Sequence, residues 1–250
     1  MAASLQFTNL VRRIARHGVL GSARLIPVNI RFVLNALKPG AVAARRRERA
    51  LDQELGINTA GDVPGGAAAA EFGISEEIYP YQAVVREDFE EMMGSLPEDV
   101  SSFCFIDIGS GKGRALVLAA RHPFEQIIGV EFSARLHRIA EQNIANVAHS
   151  LRARVKLMNE DARQFAFPIM ATVIFLFNPF GEEVMRDVVR KIEHTHRDSS
   201  LPVYLFYLWP FQEKVITESK FWQEVKQRTS LEGIQTRNTA STLRWDRGTI

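Results

Sequence analysis

The chain has 250 residues, of which 46% are hydrophobic and 24% are charged, and its net charge is +2. These values are typical of a soluble globular protein with one sizeable domain and an extension, or with two small domains. Its single cysteine excludes a disulfide framework and a cysteine-rich zinc site, and the apolar neighbours of Cys104 predict a buried, inert thiol.

The charge is unevenly distributed along the chain. Residues 1–50 carry ten basic residues and one acidic residue, whereas the remainder is acidic. Such a basic arm indicates an anionic surface or partner, although packing on the acidic remainder fits equally well. An arginine-rich, acid-poor segment is also found in organellar transit peptides and in helices that lie on anionic lipid. No secretory signal and no run of about 20 apolar residues is visible, so we expect a cytoplasmic protein without a transmembrane segment, with peripheral membrane contact as an alternative.

The first 70 residues predict a basic, mostly helical extension and linker. Residues 5–36 show mixed helical periodicity, and the arginine run at 45–49 is expected on a helix that continues to about Leu55. Residues 56–66 are rich in turn formers, which is typical of a linker or an ordered loop. We therefore place the domain boundary near residue 70 and the main domain at 71–250.

Strands alternate with helices from residue 84 onward. This order favours an α/β domain with a mostly parallel sheet, in which ligands bind at the carboxyl ends of the strands. A closing antiparallel strand pair is expected at 221–229 and 239–245. The other predicted strands cover 103–108, 127–131, 155–158, 172–177 and 202–208, and the predicted helices cover 84–93, 114–121, 134–148 and 182–192.

A glycine-rich turn follows the first predicted strand. Glycines remove side chains where a ligand must come close to the backbone, and the helix that begins after the turn directs amide donors to the same place. The turn is therefore the first candidate for a binding site. Its candidate residues are Asp107, Gly109, Ser110, Gly111 and Gly113.

Three sequence patterns describe glycine-rich turns that bind a ligand. A phosphate-binding P-loop requires serine or threonine after Lys112, where Gly113 stands, and that interpretation fails. A dinucleotide motif counted from Gly109 requires glycine at the position of Arg114, which weakens a nicotinamide site. The pattern D-x-G-x-G-x-G is met in full.

Acidic residues occur at the ends of the next two predicted strands. Glu131 ends the second strand, where a carboxylate can accept hydrogen bonds from both ribose hydroxyls of a nucleoside. Asp161 and Ala162 follow the third strand, although a turn aspartate can also cap the next segment. Both positions are expected near the glycine-rich turn.

Asn178, Pro179 and Phe180 follow the fourth predicted strand. Proline fixes the backbone and cannot continue the sheet, so it ends the strand there. Asn178 would then present its carbonyl oxygen to a reacting amine, and the ring face of Phe180 would suit a cation. An ordinary turn at the end of the strand is the alternative.

The D-x-G-x-G-x-G turn, Glu131, Asp161 and Asn178, in this order, resemble the motifs of class I S-adenosylmethionine-dependent methyltransferases. The resemblance covers about residues 75–250 and implies a Rossmann-like, doubly wound sheet. It also implies that the glycine-rich turn surrounds S-adenosylmethionine, Glu131 holds its ribose, and Asp161 with Ala162 contacts its adenine.

Two further segments resemble parts of this family. Residues 178–181 resemble the N-P-P-Y/F motif of nitrogen-directed members, except that Phe180 replaces the second proline and Gly181 the aromatic residue. Tyr81 stands before the helix that leads into the first strand. There it would cover the methionine end of the cofactor, as a tyrosine does in some lysine-directed members.

The sequence therefore predicts methyl transfer to an acceptor nitrogen of a protein side chain or small amine. A hydroxyl group and RNA remain open as acceptors. A non-catalytic S-adenosylmethionine-binding scaffold protein and a nicotinamide-dependent oxidoreductase are the alternatives. No metal is expected, because His194 and His196 stand at the end of a helix, where the dipole favours histidine.

Overall fold

The computed structural model describes residues 39–61, 81–219, 221–229 and 239–245. The chain divides into two compact units, Met1–Arg46 and Arg47–Ile250. This division lies before the boundary expected near residue 70, because residues 47–61 make their contacts within the second unit. The predicted helical segment at 5–36 lies outside the described residues.

The second unit alternates helices and strands as the sequence predicts. The strands are β1 (Cys104–Ile108), β2 (Gln126–Val130), β3 (Val155–Met158), β4 (Thr172–Phe177), β5 (Val203–Leu208), β6 (Trp222–Thr229) and β7 (Thr239–Trp245). The helices are α1 (Pro39–Leu55), α2 (Arg86–Met93), α3 (Arg114–Ala119), α4 (Ala134–Asn146), α5 (His149–Arg152), α6 (Glu182–His196) and α7 (Glu213–Thr217).

The seven strands of the described residues form one sheet, in the order β3-β2-β1-β4-β5-β7-β6. The first five strands in this order are parallel, which confirms the predicted α/β class with a parallel sheet. Strand β7 runs antiparallel to β5 and β6. Because the parallel strands share one direction, their carboxyl ends meet at one edge of the sheet.

Hydrophobic cores cover both faces of the sheet. Alternate residues of β1 point to opposite faces, so Phe105 belongs to one core and Ile106 to the other. The Phe105 core includes Phe89 of α2, whose ring lies 5.8 Å from that of Phe105. The Ile106 core includes Val188 of α6. Burial on both faces explains why β1, β4 and β5 are almost continuously apolar in sequence.

Several element boundaries differ from the sequence predictions. Helix α2 begins at Arg86 rather than at residue 84, because Val85 keeps an extended backbone. The helix predicted at 134–148 ends at Asn146, where an extended Val147 separates α4 from α5. Helix α7 was not predicted. Cys104 is buried as expected, and burial raises the pKa of its thiol to about 12.

Among the described residues, no helix is long and apolar enough to cross a membrane. The same part of the chain contains no group of three or more His, Cys, Asp or Glu side chains arranged to hold a metal ion.

Candidate active site

The strand register brings the predicted site residues to one edge of the sheet. Ile108 pairs with Val130 on one side and with Leu176 on the other. The glycine-rich turn and Glu131 therefore leave the sheet side by side, and the segment after β4 leaves it on the other side of the turn. The sequence prediction that these three segments lie together is met by this register.

The turn after β1 needs glycine for its backbone conformation and for its close contacts. The φ angles of Gly109, Gly111 and Gly113 are +80°, +55° and +84°, a region that other residues rarely adopt. A Cβ atom at Gly109 would lie 2.5 Å from Cβ of Pro179. The turn is thus packed directly against the segment that follows β4.

Tyr81 covers the middle of the turn. A Cβ atom at Gly111 would lie 2.2 Å from Cδ2 and 2.3 Å from Cε2 of the Tyr81 ring. Burial raises the pKa of the Tyr81 hydroxyl well above that of a free phenol, so the hydroxyl is neutral. The structure therefore places Tyr81 on the glycine-rich turn, where the sequence predicted a cover for the cofactor.

Glu131 is fixed by two backbone donors. Its Oε2 accepts from the N–H of Gly111 at 2.7 Å, and its Oε1 accepts from the N–H of Ser133 at 2.7 Å. Burial raises the pKa of Glu131, and these hydrogen bonds lower it in part. The backbone of Phe132 is a further donor to this carboxylate, whose two oxygens together offer about four acceptor sites, so a hydroxyl donor such as that of a ribose can still bind.

Asp107 is a second buried acid near Glu131. Its pKa is raised well above the ordinary value, first by burial and then by the negative charge of Glu131. Two acids that are buried close together favour a cationic or hydrogen-bond-donating ligand between them. The hydroxyl of Ser110, also buried, has no hydrogen-bond partner within the part of the chain that the structure describes. A polar ligand at this edge is consistent with both observations.

Asp161 lies in the turn after β3 but is already paired. Its Oδ2 accepts from a guanidinium nitrogen of Arg163 at 2.7 Å, and its Oδ1 accepts from the Arg163 backbone N–H at 2.9 Å. The hydrogen bonds from Arg163 lower the pKa of Asp161. Asp161 and the half-buried Ala162 therefore form a local turn beside the sheet edge, and an adenine contact stays a prediction.

Asn178 is held in an unusual backbone conformation at the end of β4. It is 5% exposed and has a φ angle of +42°, in the left-handed region that Asn tolerates better than most residues. Its Oδ1 accepts a hydrogen bond from the hydroxyl of Tyr207 at 3.4 Å. The same hydroxyl accepts from the backbone N–H of Gln212 at 3.2 Å. The Asn178 side chain is thus oriented by a neighbouring strand.

Aromatic side chains surround the ends of β4 and β5. The ring of Phe180 packs partly against the core that contains Ile106, which limits the face available to a cation. Trp209, with a φ angle of +50°, stands edge-on to Phe177 at 5.4 Å. Tyr207 could not be predicted from the sequence, because it lies inside an apolar strand and gives no separate signal.

Comparison with known proteins identifies the class to which this site belongs. Residues 105–198 match a family model described as a methyltransferase domain. This range includes Asp107, the glycine-rich turn, Glu131 and Asn178. Residues 105–198 are therefore similar to methyltransferase domains, as the resemblance of the sequence motifs implied. This result decides against the nicotinamide-dependent oxidoreductase that the sequence left open.

Solved structures show the same fold. The glycopeptide N-methyltransferase MtfA in complex with S-adenosylmethionine is 12% identical over 66% of this chain and 95% of its own, with a TM-score of 0.52. A second structure of MtfA is 13% identical over 66% of this chain and 91% of its own, with a TM-score of 0.51. None of the curated proteins compared with the chain matches it in sequence.

Proposed function

We propose that this domain methylates a nitrogen atom of a protein side chain or small amine, and that Asn178 orients that nitrogen. One observation carries the proposal. Pro179, which immediately follows Asn178, packs against Gly109, where an added Cβ would lie 2.5 Å from Cβ of the proline. The residue assigned to the acceptor therefore adjoins the turn assigned to the methyl donor.

The residues of the site suit binding and orientation more than acid–base chemistry. S-adenosylmethionine, when bound, supplies an activated methyl group that a neutral amine can accept without a strong base. The second lone pair of Asn178 Oδ1 can accept an N–H of the amine, which directs the nitrogen lone pair toward the donor. Because Tyr207 already binds Oδ1, the carboxamide need not reorient when the acceptor enters.

We assign the cofactor contacts to the residues around the turn. Glu131 accepts from the ribose hydroxyls, and the glycine-rich turn lies against the amino-acid end of the cofactor. Asp161 and Ala162 lie beside the adenine, and Tyr81 covers the methionine end. Two observations support these roles: Glu131 and Asp107 are buried, and Tyr81 contacts Gly111.

The antiparallel pair of β6 and β7, predicted from the sequence, extends the sheet away from this site.

Replacing Asn178 with alanine tests the acceptor role. We expect methyl transfer to fall about 100-fold, the loss that follows when one positioned hydrogen-bonding group is removed from an active site. Binding of S-adenosylhomocysteine is expected to stay unchanged, because Glu131 and the turn are untouched. The measurement uses tritium-labelled S-adenosylmethionine with a cell extract, followed by separation of protein, RNA and small molecules, with calorimetry of S-adenosylhomocysteine alongside.

The matched control is Gln142→Ala, which removes an exposed carboxamide on α4. If Asn178→Ala transfers methyl groups at the rate of this control, the acceptor role of Asn178 is wrong. Label that enters only RNA or only a hydroxyl group would overturn the amine assignment. If the unmodified protein binds S-adenosylhomocysteine but transfers no methyl group, the result would instead favour a non-catalytic scaffold protein.

We also propose that the basic N-terminal arm binds an anionic surface. Residues 1–46 form a separate unit in which all the charged side chains are basic. Removal of residues 1–46 is expected to abolish binding to phosphatidylserine vesicles, whereas the full chain binds and is released as salt screens the charges. Vesicle co-sedimentation at low and high salt measures this. Equal binding of the two proteins to the vesicles would refute the proposal. Salt-dependent binding of the full chain to RNA but not to vesicles would assign the arm to nucleic acid instead.

A further inference from the structure

A segment outside the matched methyltransferase range contacts the glycine-rich turn. We call residues 58–61 the strap. They stand more than 40 positions before the range 105–198, yet they bind Lys112 and Arg114 at the C-terminal end of the turn. In addition, the Asn58 N–H donates to Oδ1 of Asn143 at 2.8 Å, and Nδ2 of Asn143 donates to the Lys112 carbonyl at 2.8 Å. The strap is therefore connected to the turn through side chains of the main domain.

Asp52 of α1 fixes the strap by its carboxylate. Oδ2 accepts from the backbone N–H groups of Thr59 and Ala60, both at 2.6 Å. Oδ1 accepts from the hydroxyl of Thr59 at 2.6 Å. Both Asp52 and Thr59 are buried. Hydrogen bonds to a buried carboxylate are among the stronger ones in proteins, so the strap has one well-defined conformation.

Arg114 joins this anchor to the turn. It is the first residue of α3, immediately after Gly113, and it is 2% exposed. Its guanidinium group donates to Oδ1 of Asp52 at 2.8 Å, and its Nε donates to the hydroxyl of Thr59. An ion pair this deeply buried leaves an uncompensated charge when either partner is removed. The position of the strap is thereby linked to the end of the glycine-rich turn.

The strap also holds the ring that covers the turn. The Tyr81 hydroxyl donates to the Thr59 carbonyl at 2.9 Å, while the ring of Tyr81 lies against Gly111. Nζ of Lys112 donates to the carbonyls of Ala60 and Gly61 at 2.8 and 3.2 Å and lies 5.1 Å from the centre of the Tyr81 ring. The position of this ring on the turn therefore depends on the strap.

We infer that the strap, anchored by Asp52 and Arg114, is a cofactor-positioning element that keeps the Tyr81 ring over the bound methionine end of S-adenosylmethionine. Asp52, Thr59 and Arg114 act as positioning residues through Tyr81, without touching the cofactor themselves. The inference rests on the proposed role of Tyr81 as a cover. It adds a requirement for a segment that the methyltransferase match does not include.

Two substitutions test the strap in the full chain. Tyr81→Phe keeps the ring and removes its hydrogen bond to Thr59, and Asp52→Asn removes the charge of the anchor. We expect S-adenosylhomocysteine to dissociate about 3–10-fold faster from Tyr81→Phe, as the loss of one neutral hydrogen bond predicts. Asp52→Asn is expected to act in the same direction, roughly 10-fold or more, because Arg114 loses its partner.

Hydrogen exchange supplies a readout that does not require methyl transfer. In the unmodified protein, saturating S-adenosylhomocysteine is expected to slow exchange of the Thr59 and Ala60 amides, and this protection is expected to be smaller in both variants. A double variant should show less than the sum of the two effects, because both act through one contact chain. The control is Glu54→Gln, which breaks an exposed ion pair of α1 with Arg86 and leaves the strap intact.

Thermal unfolding separates positioning from folding. If Asp52→Asn lowers the unfolding temperature but leaves dissociation and exchange unchanged well below that temperature, the anchor is only structural and the inference is wrong. Faster exchange of the strap in the presence of S-adenosylhomocysteine would also overturn it. Tyr81→Ala separates the proposed role of Tyr81 from the inferred role of the strap. If Tyr81→Ala leaves binding of S-adenosylhomocysteine unchanged, the role of Tyr81 as a cover is wrong. If Tyr81→Ala weakens binding but Tyr81→Phe and Asp52→Asn do not, only the role of the strap is wrong.

Discussion

Replacing Glu131 with glutamine is expected to weaken binding of S-adenosylhomocysteine about 100-fold or more. The buried carboxylate accepts from the backbone of Gly111, Ser133 and Phe132, and we expect its oxygens to accept the ribose hydroxyls as well. Glutamine turns one of these oxygens into a donor that faces a backbone N–H, so the side chain must rotate or lose a bond. Two charge-assisted hydrogen bonds at about 1.5–3 kcal/mol each account for the expected loss.

Isothermal titration of S-adenosylhomocysteine into the two proteins measures this effect. The matched control is Glu125→Gln, because Glu125 is exposed and stands immediately before β2, whereas Glu131 stands immediately after it. Both variants lose one negative charge at an end of the same strand. A Glu131→Gln protein that binds within about threefold of the control would show that the carboxylate does not hold the ribose.

The sequence located the sheet edge because the signals there are local. A buried strand, a run of glycines and a proline each act within a few residues, and strand alternation then orders them. The confirmed parallel direction of β1, β2 and β4 follows from these signals, and so does the expectation that Glu131 and Asn178 lie at the same sheet edge as the turn. Each of these residues immediately follows a strand of the same sheet.

Contacts between distant segments explain what the sequence did not indicate. Tyr207 looks like any other aromatic residue of an apolar strand, although its hydroxyl orients Asn178. Asp52 looks like a solvated acid on a charged helix, yet it is buried against Arg114, 62 positions further along the chain. Neither periodicity nor motif spacing reports such pairs. The contacts of the strap with Lys112 and Arg114 give no sequence signal for the same reason.

Replacing Asp107 with asparagine is expected to stabilise the ligand-free protein while weakening cofactor binding. Burial, and then the charge of Glu131, raise the pKa of Asp107 above its value in the unfolded chain. The folded protein therefore favours the protonated acid, and ionisation of Asp107 costs folding free energy as the pH rises through its folded pKa. Asparagine removes that cost and keeps the shape. A gain of about 1 kcal/mol would raise the unfolding temperature by about 2–4 °C.

The two effects of this substitution have different pH dependences. The gain in stability is expected near neutral pH and is expected to disappear as the pH falls and the unmodified Asp107 becomes protonated. Binding of S-adenosylhomocysteine should weaken about 10-fold or more, because its amino group loses an acidic partner. Thermal unfolding and calorimetry over the same pH series measure both quantities.

Asp99 provides a control of opposite sign. The backbone N–H of Ser101 lowers the pKa of this exposed acid, so its ionised form favours the folded state above its unfolded pKa. Asp99→Asn is therefore expected to give no stabilisation and no change in cofactor affinity. Asp107 supports the turn without contacting the cofactor if the Asp107→Asn protein is stable and binds S-adenosylhomocysteine as tightly as the unmodified chain. If instead Asp107→Asn lowers both stability and affinity, the buried carboxyl group of Asp107 stabilises the fold. Its raised pKa would then have no role in cofactor binding.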